Sequence, residues 1–287
     1  MRRIRLIVSY DGTNYCGWQI QENAVTVEGT LTDALRKWLK EDIEIIGASR
    51  TDSGVHAYGN IAVFDTNSRI PAEKFAIGLN HYLPEDIRVQ KSDEVESDYH
   101  PRYRNTEKTY EYTILNTKIN LPTYSRYSYH VYHPLDFEAM KEAAALLVGE
   151  HDFSAFCSAG SQVKSKVRTI YEVSLDKQKA MGCNGGEVIR IRVRGNGFLY
   201  NMVRVICGTL VGVGEGGRSL AEGKKGRFSR GRQKTGPTGP PGGCVTSEIR
   251  DGTYIKFLFP CLHIVSMDFF CVVNDIEVIA DSYTSCV

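Results

Sequence analysis

Residues 48–57 read Ala-Ser-Arg-Thr-Asp-Ser-Gly-Val-His-Ala, a polar, turn-prone stretch enclosed by two apolar runs at residues 43–46 and 60–64. Short apolar runs separated by turn-forming residues are typical of two strands joined by a loop. A loop whose ends are fixed by strands can aim its side chains at a ligand. The stretch therefore predicts a loop on a rigid sheet, placed where it can carry function.

Asp52 is the only carboxylate in this loop. Arg50 supplies a cation that can meet a phosphate, and Gly54 permits the positive φ of a sharp turn. Two interpretations follow from the loop alone. It is either a catalytic loop with Asp52 as its reactive group or a solvated hairpin, because Asp, Ser and Gly are ordinary turn residues.

The composition is that of a globular protein. With 287 residues, of which 42% are hydrophobic and 24% charged, the chain can form two domains and is unlike a disordered, collagenous or coiled-coil sequence. Its net charge of +1 does not indicate a class of partner. The eight cysteines form no Cys-x-x-Cys pair, and no long apolar leader opens the chain. These features predict a reducing cytoplasm, no export, and no zinc or redox site.

The first hundred residues alternate strands and helices. Six elements are predicted: a strand at residues 4–10, a helix at 31–39, strands at 43–46 and 60–64, a helix at 71–79 and a strand from residue 87. Thr26 or Thr30 is expected to cap the first helix, and Pro71 to open the second. This order favours a ferredoxin-like α+β unit over a doubly wound parallel sheet.

Basic and aromatic residues are concentrated in the middle of the chain. Residues 100–104 read His-Pro-Arg-Tyr-Arg, residues 108–112 read Lys-Thr-Tyr-Glu-Tyr, and Arg126 with four more tyrosines follows before residue 133. Arginine can meet phosphates while tyrosine rings stack on unpaired bases, a combination typical of RNA-binding surfaces. A sheet surface that uses tyrosine for its strand preference explains the pattern as well.

Two further strands are predicted at residues 167–173 and 188–194. The second strand places Arg190, Arg192 and Arg194 on one face. That face is either a stripe that meets phosphates or a solvated edge.

Residues 198–211 are apolar on nearly every side and predict a largely buried helix. Arg204 lies within it, and a buried guanidinium is costly unless an acceptor such as a carboxylate meets it. Asp52 is the natural partner, and the alternative is an Arg204 side chain that reaches the surface from the helix flank. Pairing with Arg204 would hold the pKa of Asp52 low and keep its carboxylate anionic and nucleophilic at neutral pH.

Taken in order, these blocks resemble the TruA family of tRNA pseudouridine synthases. The blocks lie at residues 10–19, 48–57, 108–112, 149–156, 197–204 and 236–238. The resemblance runs continuously over about residues 1–215, and several blocks in one order are far more specific than any one of them.

The resemblance implies an isomerase that converts uridine to pseudouridine at positions 38, 39 and 40 of tRNA, in the anticodon stem and loop, without a metal or organic cofactor. Matched position by position, Asp52 is the catalytic aspartate, Tyr110 packs against the target base, and Arg204 pairs with the aspartate. Arg50 is the loop arginine associated with RNA binding and base flipping. We expect Arg168, on the strand at residues 167–173, to bind substrate as well.

The resemblance also implies an α+β fold of two ferredoxin-like halves that share an extended antiparallel sheet, with helices on one face and a central active-site cleft. The usual assembly is a homodimer. On this basis we divide the chain into an N-terminal half at residues 1–104 with the Asp52 loop, a C-terminal half at residues 105–243 with Tyr110 and Arg204, and an atypical tail at residues 244–287.

The target uridine must leave its stack before an enzyme can reach the glycosidic bond. Asp52 then either attacks C1′ or takes a sugar proton to give a glycal-like intermediate, and the residues leave both routes open. Both need an ionised carboxylate with a counter-charge. A glycoside hydrolase is disfavoured because no second acid lies beside Asp52 in the loop.

The sequence departs from the family pattern after residue 217. Gly and Ser interrupt the apolar period at residues 220–234, six cations fall within residues 223–234, and Gly239 stands where alanine is usual. The basic segment either binds RNA or is solvated and mobile.

No family pattern is recognisable from residue 244 onward, where the apolar stretches are too short to span a bilayer. We therefore expect the closing strand of the sheet to be lost or replaced. Two functional classes follow: an active tRNA pseudouridine synthase, or a tRNA-binding protein of the same fold whose catalysis is impaired because the altered C terminus leaves its pocket incomplete.

Overall fold

The computed structural model describes residues 1–103, 106–159, 163–182, 185–217 and 235–250. The described helices are α1 (Val27–Leu39), α2 (Phe75–Asn80), α3 (Phe137–Ala145) and α4 (Met202–Gly214). The described strands are β1 (Arg2–Tyr10), β2 (Ile45–Gly47), β3 (His56–Thr66), β4 (Ile87–Val95), β5 (Glu107–Asn116), β6 (Tyr129–Val131), β7 (Gly149–Asp152), β8 (Val167–Lys179), β9 (Glu187–Gly195) and β10 (Cys244–Arg250). Two parts of the chain lie outside the described residues. They are residues 220–234, where Gly and Ser interrupt the apolar period and the cations are concentrated, and residues 251–287 of the expected tail.

The ten strands form one sheet in the order β4-β1-β3-β10-β5-β9-β8-β7, with β2 paired to β3 and β6 paired to β5. Two pairings are parallel, β10 with β3 and β6 with β5, and the others are antiparallel. The expected α+β class with one large sheet is confirmed. The sheet is mixed, however, because a parallel contact joins β3 to β10 at its centre.

The N-terminal elements follow the predicted order of strand, helix, strand, strand, helix, strand. Thr26 caps α1, since its hydroxyl accepts a hydrogen bond from the Gly29 amide at 3.2 Å. Pro71 precedes a short 3-10 turn that leads into α2. Helices α1 and α2 pack their apolar faces on alternate residues of β1, such as Ile4 and Leu6, which are fully buried.

A second apolar cluster packs α3 and α4 against the inner face of β5 and β9. Helix α4 begins at Met202, four residues later than the apolar pattern predicts, because Asn201 adopts the left-handed conformation with a φ of 60°. The helix is otherwise buried along its length, as expected. Arg204 therefore projects from a helix whose position is fixed by packing.

Strand β10 shows that the expectation of a lost closing strand is wrong. Cys244 pairs with Tyr112 of β5, and Val245 pairs with His56 of β3, so β10 lies between the two strands that carry the candidate site. A strand that is buried on both faces need not alternate polar and apolar residues. The residues of β10 lack such alternation, which explains why their pattern did not predict a strand.

Candidate active site

The loop that carries Asp52 joins β2 to β3 and is held by the segment around residues 15–18. The Trp18 amide donates to the Thr51 carbonyl at 3.1 Å, and the Gly54 amide donates to the Tyr15 carbonyl at 3.2 Å. Gly54 has a φ of 74°, the positive value expected for this turn. At Gly17 an added Cβ would lie 2.7 Å from the Thr51 carbonyl oxygen, so only glycine permits this close support.

Asp52 and Arg204 meet across 152 residues of sequence, as the burial argument predicts. Nη1 of Arg204 lies 3.5 Å from Oδ2 of Asp52, and both side chains are mostly buried, with exposed fractions of 16% and 19%. Arg204 also donates from Nη1 to the Asn201 side-chain oxygen at 2.7 Å and from Nε to the Gly239 carbonyl at 2.9 Å. The guanidinium is thus fixed by groups other than Asp52.

The expected low pKa of Asp52 is wrong. Burial raises the pKa of Asp52 above its ordinary value, and the opposing effect of the Arg204 charge is smaller. The cause is geometric: the carboxylate is largely removed from water, while the guanidinium approaches it only at 3.5 Å. Arg204 therefore offsets part of the cost of burying a charged Asp52 without reversing it.

Tyr110 lies next to the loop on the inner face of β5. Its hydroxyl shares a hydrogen bond of 2.7 Å with Ser49 Oγ, and its ring meets Phe198 edge to face with centroids 5.2 Å apart. Burial raises the pKa of Tyr110 to about 12, so the phenol stays neutral at physiological pH. The structure thus brings an aromatic ring to the loop that carries the aspartate.

Cys244 was not predicted as a site residue. It is buried at the start of β10, and burial, with a further contribution from the negative charge of Asp52, raises the pKa of the Cys244 thiol to about 12. The Cys244 thiol is therefore neutral, and it lines the site beside the Asp52 carboxylate. A single cysteine outside a spaced motif gives no sequence signal for such a position.

Arg50 and Arg168 take different positions. Arg50 is exposed on the loop, two residues before Asp52. Arg168 lies on β8 and donates to the carbonyls of Ser165 and Val167 at 3.0 and 2.6 Å. The structure thus joins Asp52 to Arg204, sets Tyr110 and Arg50 beside or on the loop, and holds Arg168 against its own strand.

The three arginines on one face of β9 form ion pairs with glutamates. The pairs are Arg190 with Glu111 at 4.0 Å, Arg192 with Glu111 at 3.0 Å, and Arg194 with Glu107 at 2.9 Å and Glu172 at 3.4 Å. These carboxylates offset the positive charge of the stripe. The arrangement favours the solvated edge over the phosphate-facing stripe.

Within the described ranges, no three His, Cys, Asp or Glu side chains are grouped closely enough to hold a metal ion. No helix in the same ranges has the length and apolar character needed to cross a membrane.

A largely buried carboxylate beside a fixed cation and a neutral aromatic ring is an arrangement typical of enzyme active sites. Comparison with known proteins gives the family. The family model described as tRNA pseudouridine synthase matches residues 6–104 and 143–250.

Three relatives share the name tRNA pseudouridine synthase A, and each match covers 87% of this chain and 99% of the relative. They come from Thermoanaerobacter sp. (strain X514) at 47% identity, Acetivibrio thermocellus at 45% and Brevibacillus brevis at 44%, each over 249 residues. The chain belongs to the tRNA pseudouridine synthase family and is an isomerase that acts on tRNA.

Proposed function

We propose that this protein converts uridine to pseudouridine at positions 38, 39 and 40 in the anticodon stem and loop of tRNA, with Asp52 as the nucleophile. The observation that carries the proposal is the approach of Arg204 to Asp52 at 3.5 Å in a largely buried setting. A fixed cation favours the ionised carboxylate on which either chemical route depends.

The reaction breaks the bond between N1 of uracil and C1′, turns the base, and joins C5 to C1′. C5 loses its proton and N1 gains one, so the product is an isomer of uridine. Asp52 acts at C1′ or on a sugar proton, and both routes require that it be ionised when the base is bound. Tyr110 packs against the flipped base, which compensates part of the free energy lost by unstacking.

Arg50 and Arg168 contact the RNA in this proposal. Arg50 is exposed beside Asp52, where a cation can hold the strand from which the uridine is flipped. Nη1 of Arg168 already donates hydrogen bonds to two neighbouring carbonyls, so we assign Arg168 to the rim of the substrate surface.

The proposed architecture is two ferredoxin-like halves at residues 1–104 and 105–243, followed by a tail at 244–287. Strand order supports the two halves. Around α1 and α2 the strands run β4-β1-β3-β2, and around α3 and α4 they run β10-β5-β9-β8, so each set is a βαββαβ unit by pairing. The second unit takes its last strand from residues 244–250, the first part of the proposed tail.

We further propose a homodimer, as the family resemblance implies, and a cytoplasmic location where tRNA is available. Sedimentation equilibrium tests the assembly: a mass near twice 32.1 kDa supports the dimer and a mass near 32.1 kDa contradicts it.

The alternative, a tRNA-binding protein with impaired catalysis, depended on an incomplete pocket at the C terminus. The presence of β10 removes that reason, because Cys244 and Thr246 lie in the sheet opposite Tyr112 and Tyr110. The active enzyme is therefore the better-supported function.

Tritium release from tRNA labelled at uridine C5 tests the function. We expect release with the wild-type protein and none with Asp52→Asn, while both proteins bind tRNA. Equal release from the two proteins would overturn the assignment of Asp52 as the nucleophile. Tight tRNA binding without release from the wild type would support the impaired alternative.

A further inference from the structure

Three cations lie at the start of the Asp52 loop. Lys108 Nζ donates to the Ala48 carbonyl at 2.7 Å, and Arg102 Nε donates to the Gly47 carbonyl at 2.6 Å. Arg50 follows two residues later and is exposed. Among the described residues, none of these three side chains forms an ion pair with an aspartate or glutamate. We call Arg50, Arg102 and Lys108 the loop cations.

Most other arginines of the sheet and the site have a carboxylate partner. The pairs include Arg2 with Glu94, Arg3 with Asp65, Arg5 with Asp93, Arg126 with Asp11, Arg192 with Glu111, Arg194 with Glu107 and Arg204 with Asp52. The loop cations therefore differ from the general pattern of the molecule. Glu28 acts on Arg102 through its charge without forming an ion pair with it, so the positive charge beside the reactive loop is only partly offset and can accept an anion from outside.

The loop cations repel one another in the free protein. Burial, together with the charges of Arg102 and Arg50, lowers the pKa of Lys108 to about 8. Burial and the charge of Arg50 lower the pKa of Arg102 as well, and the negative charge of Glu28 opposes them with a smaller effect. Like charges held together in a partly desolvated position raise the free energy of the empty site, and a bound anion relieves this repulsion.

We propose that Lys108 and Arg102, together with Arg50, bind one backbone phosphate of the RNA next to the target uridine. This inference rests on the proposed function and adds two binding residues to it. Lys108 and Tyr110 lie two residues apart on the same face of β5, which is about 7 Å along a strand. A nucleotide whose base packs on Tyr110 therefore places an adjoining phosphate within reach of Lys108.

The two hydrogen bonds to the carbonyls of Gly47 and Ala48 have a second use. They hold Lys108 and Arg102 at the base of the loop that carries Asp52, so the phosphate is bound at a fixed distance from the reactive carboxylate. Phosphate contacts of this kind set the register of a nucleic acid without reading its sequence. The loop cations thus align the target nucleotide and do not select the base.

Salt-dependent binding tests the proposal. In the Asp52→Asn background, which prevents turnover, the affinity for an anticodon stem-loop RNA is measured over a range of salt concentrations. We expect Lys108→Met and Arg102→Met each to weaken binding about fivefold to tenfold and to reduce the slope of log K against log salt by about 0.7 to 1. Lys91→Met is the charge-matched control, because Lys91 is an exposed residue of the edge strand β4. It should leave both quantities unchanged.

A second measurement uses the RNA instead of the protein, so it does not depend on the folding of any loop-cation variant. Neutral methylphosphonate linkages replace single phosphates around the target uridine. One linkage next to the uridine should weaken binding to the Asp52→Asn protein about fivefold to tenfold and have little further effect on the same protein with Lys108→Met. If no adjacent linkage matters, or if the losses from RNA and protein changes simply multiply, the proposal is wrong.

Two other outcomes are distinguishable. If the loop cations only stabilise the loop, the variants lower the melting temperature and leave the salt slope unchanged, which overturns the phosphate site. If the wild-type protein forms no pseudouridine in tRNA, the proposed function itself fails. Wild-type turnover with unaltered salt slopes in the variants rejects only the phosphate site.

Discussion

Arg204 approaches Asp52 at 3.5 Å but donates a shorter hydrogen bond, 2.7 Å, to the side-chain oxygen of Asn201. Its Nε is bound by the Gly239 carbonyl at 2.9 Å. The guanidinium is therefore oriented before any substrate arrives and does not depend on Asp52 for its position. A cation fixed in this way acts on the carboxylate through its charge.

We expect Arg204→Met to lower kcat at least 100-fold, because removal of one preorganised electrostatic group in an enzyme site typically costs two to three orders of magnitude. Arg204→Lys should fall between that variant and wild type, since it keeps the charge but cannot bind Asn201, Gly239 and Asp52 at once. Single-turnover tritium release measures the rate. An Arg204→Met protein within threefold of wild type would remove Arg204 from the catalytic site.

Asp52→Asn should be more heat-stable than wild type at pH 7, by roughly 1 to 3 °C. The folded-state pKa of Asp52 is raised, so the folded protein binds the proton more tightly than the unfolded chain. Stability is therefore lost as the pH rises through the interval between the unfolded and folded pKa values. Asparagine carries no charge and removes this cost.

The pH dependence supplies the control for this prediction. Below the unfolded pKa, about 3.9, Asp52 is protonated in both states, and the difference between the two proteins should vanish. Calorimetry from pH 3 to pH 8 follows the difference. An advantage for wild type at neutral pH would mean that Arg204 outweighs burial.

Gly239→Ala should destabilise the fold by about 1 to 3 kcal/mol, the usual cost of overpacking a core. A Cβ at residue 239 would lie 2.5 Å from the hydroxyl oxygen of Tyr112, whose ring is buried and whose hydroxyl donates to the Pro240 carbonyl at 2.8 Å. The glycine found where the family usually has alanine thus fits this tyrosine. Denaturant unfolding measures the change.

Gly59→Ala is the matched control, because a Cβ there would make only an ordinary contact of 3.5 Å with Ile7. The double change Gly239→Ala with Tyr112→Phe tests the named clash. Its cost should be smaller than the sum of the single costs, and additive costs would place the strain elsewhere.

Shortening the chain tests the importance of β10. A chain that ends at Gly243 lacks the strand between β3 and β5, so we expect it to lose cooperative unfolding. A chain that ends at Arg250 keeps every described strand and should unfold cooperatively. Circular dichroism during thermal unfolding compares them. Similar transitions in both chains would contradict a structural role for β10.

Local patterns predicted the N-terminal elements because capping and periodicity depend on neighbouring residues, as Thr26 and β1 illustrate. The pairing of Asp52 with Arg204 was predictable as well, since a buried arginine requires an acceptor. The pKa of Asp52 was not, because its direction depends on a balance between burial and a 3.5 Å charge contact that only coordinates supply.

Strand β10 and the role of the loop cations could not be predicted from the sequence. The partners of β10 on β3 lie almost two hundred residues earlier in the chain, and its own residues show no alternation. Lys108 and Arg102 were visible as part of a basic, aromatic region, but their lack of carboxylate partners is a property of the folded arrangement. The sequence thus identified the basic, aromatic region. The folded structure identified Lys108 and Arg102 within that region as the two candidate binding residues.

The central position of β10 has a consequence for biosynthesis. A ribosome makes the chain from the N terminus, so β1 to β9 emerge before the strand that joins β3 to β5. Each earlier group of strands can pair locally, but the Asp52 loop and Tyr110 are brought to one sheet only when β10 has been made. The nascent chain is therefore expected to lack a complete site until β10 has left the ribosome, so the site forms after most of the sheet has been synthesised.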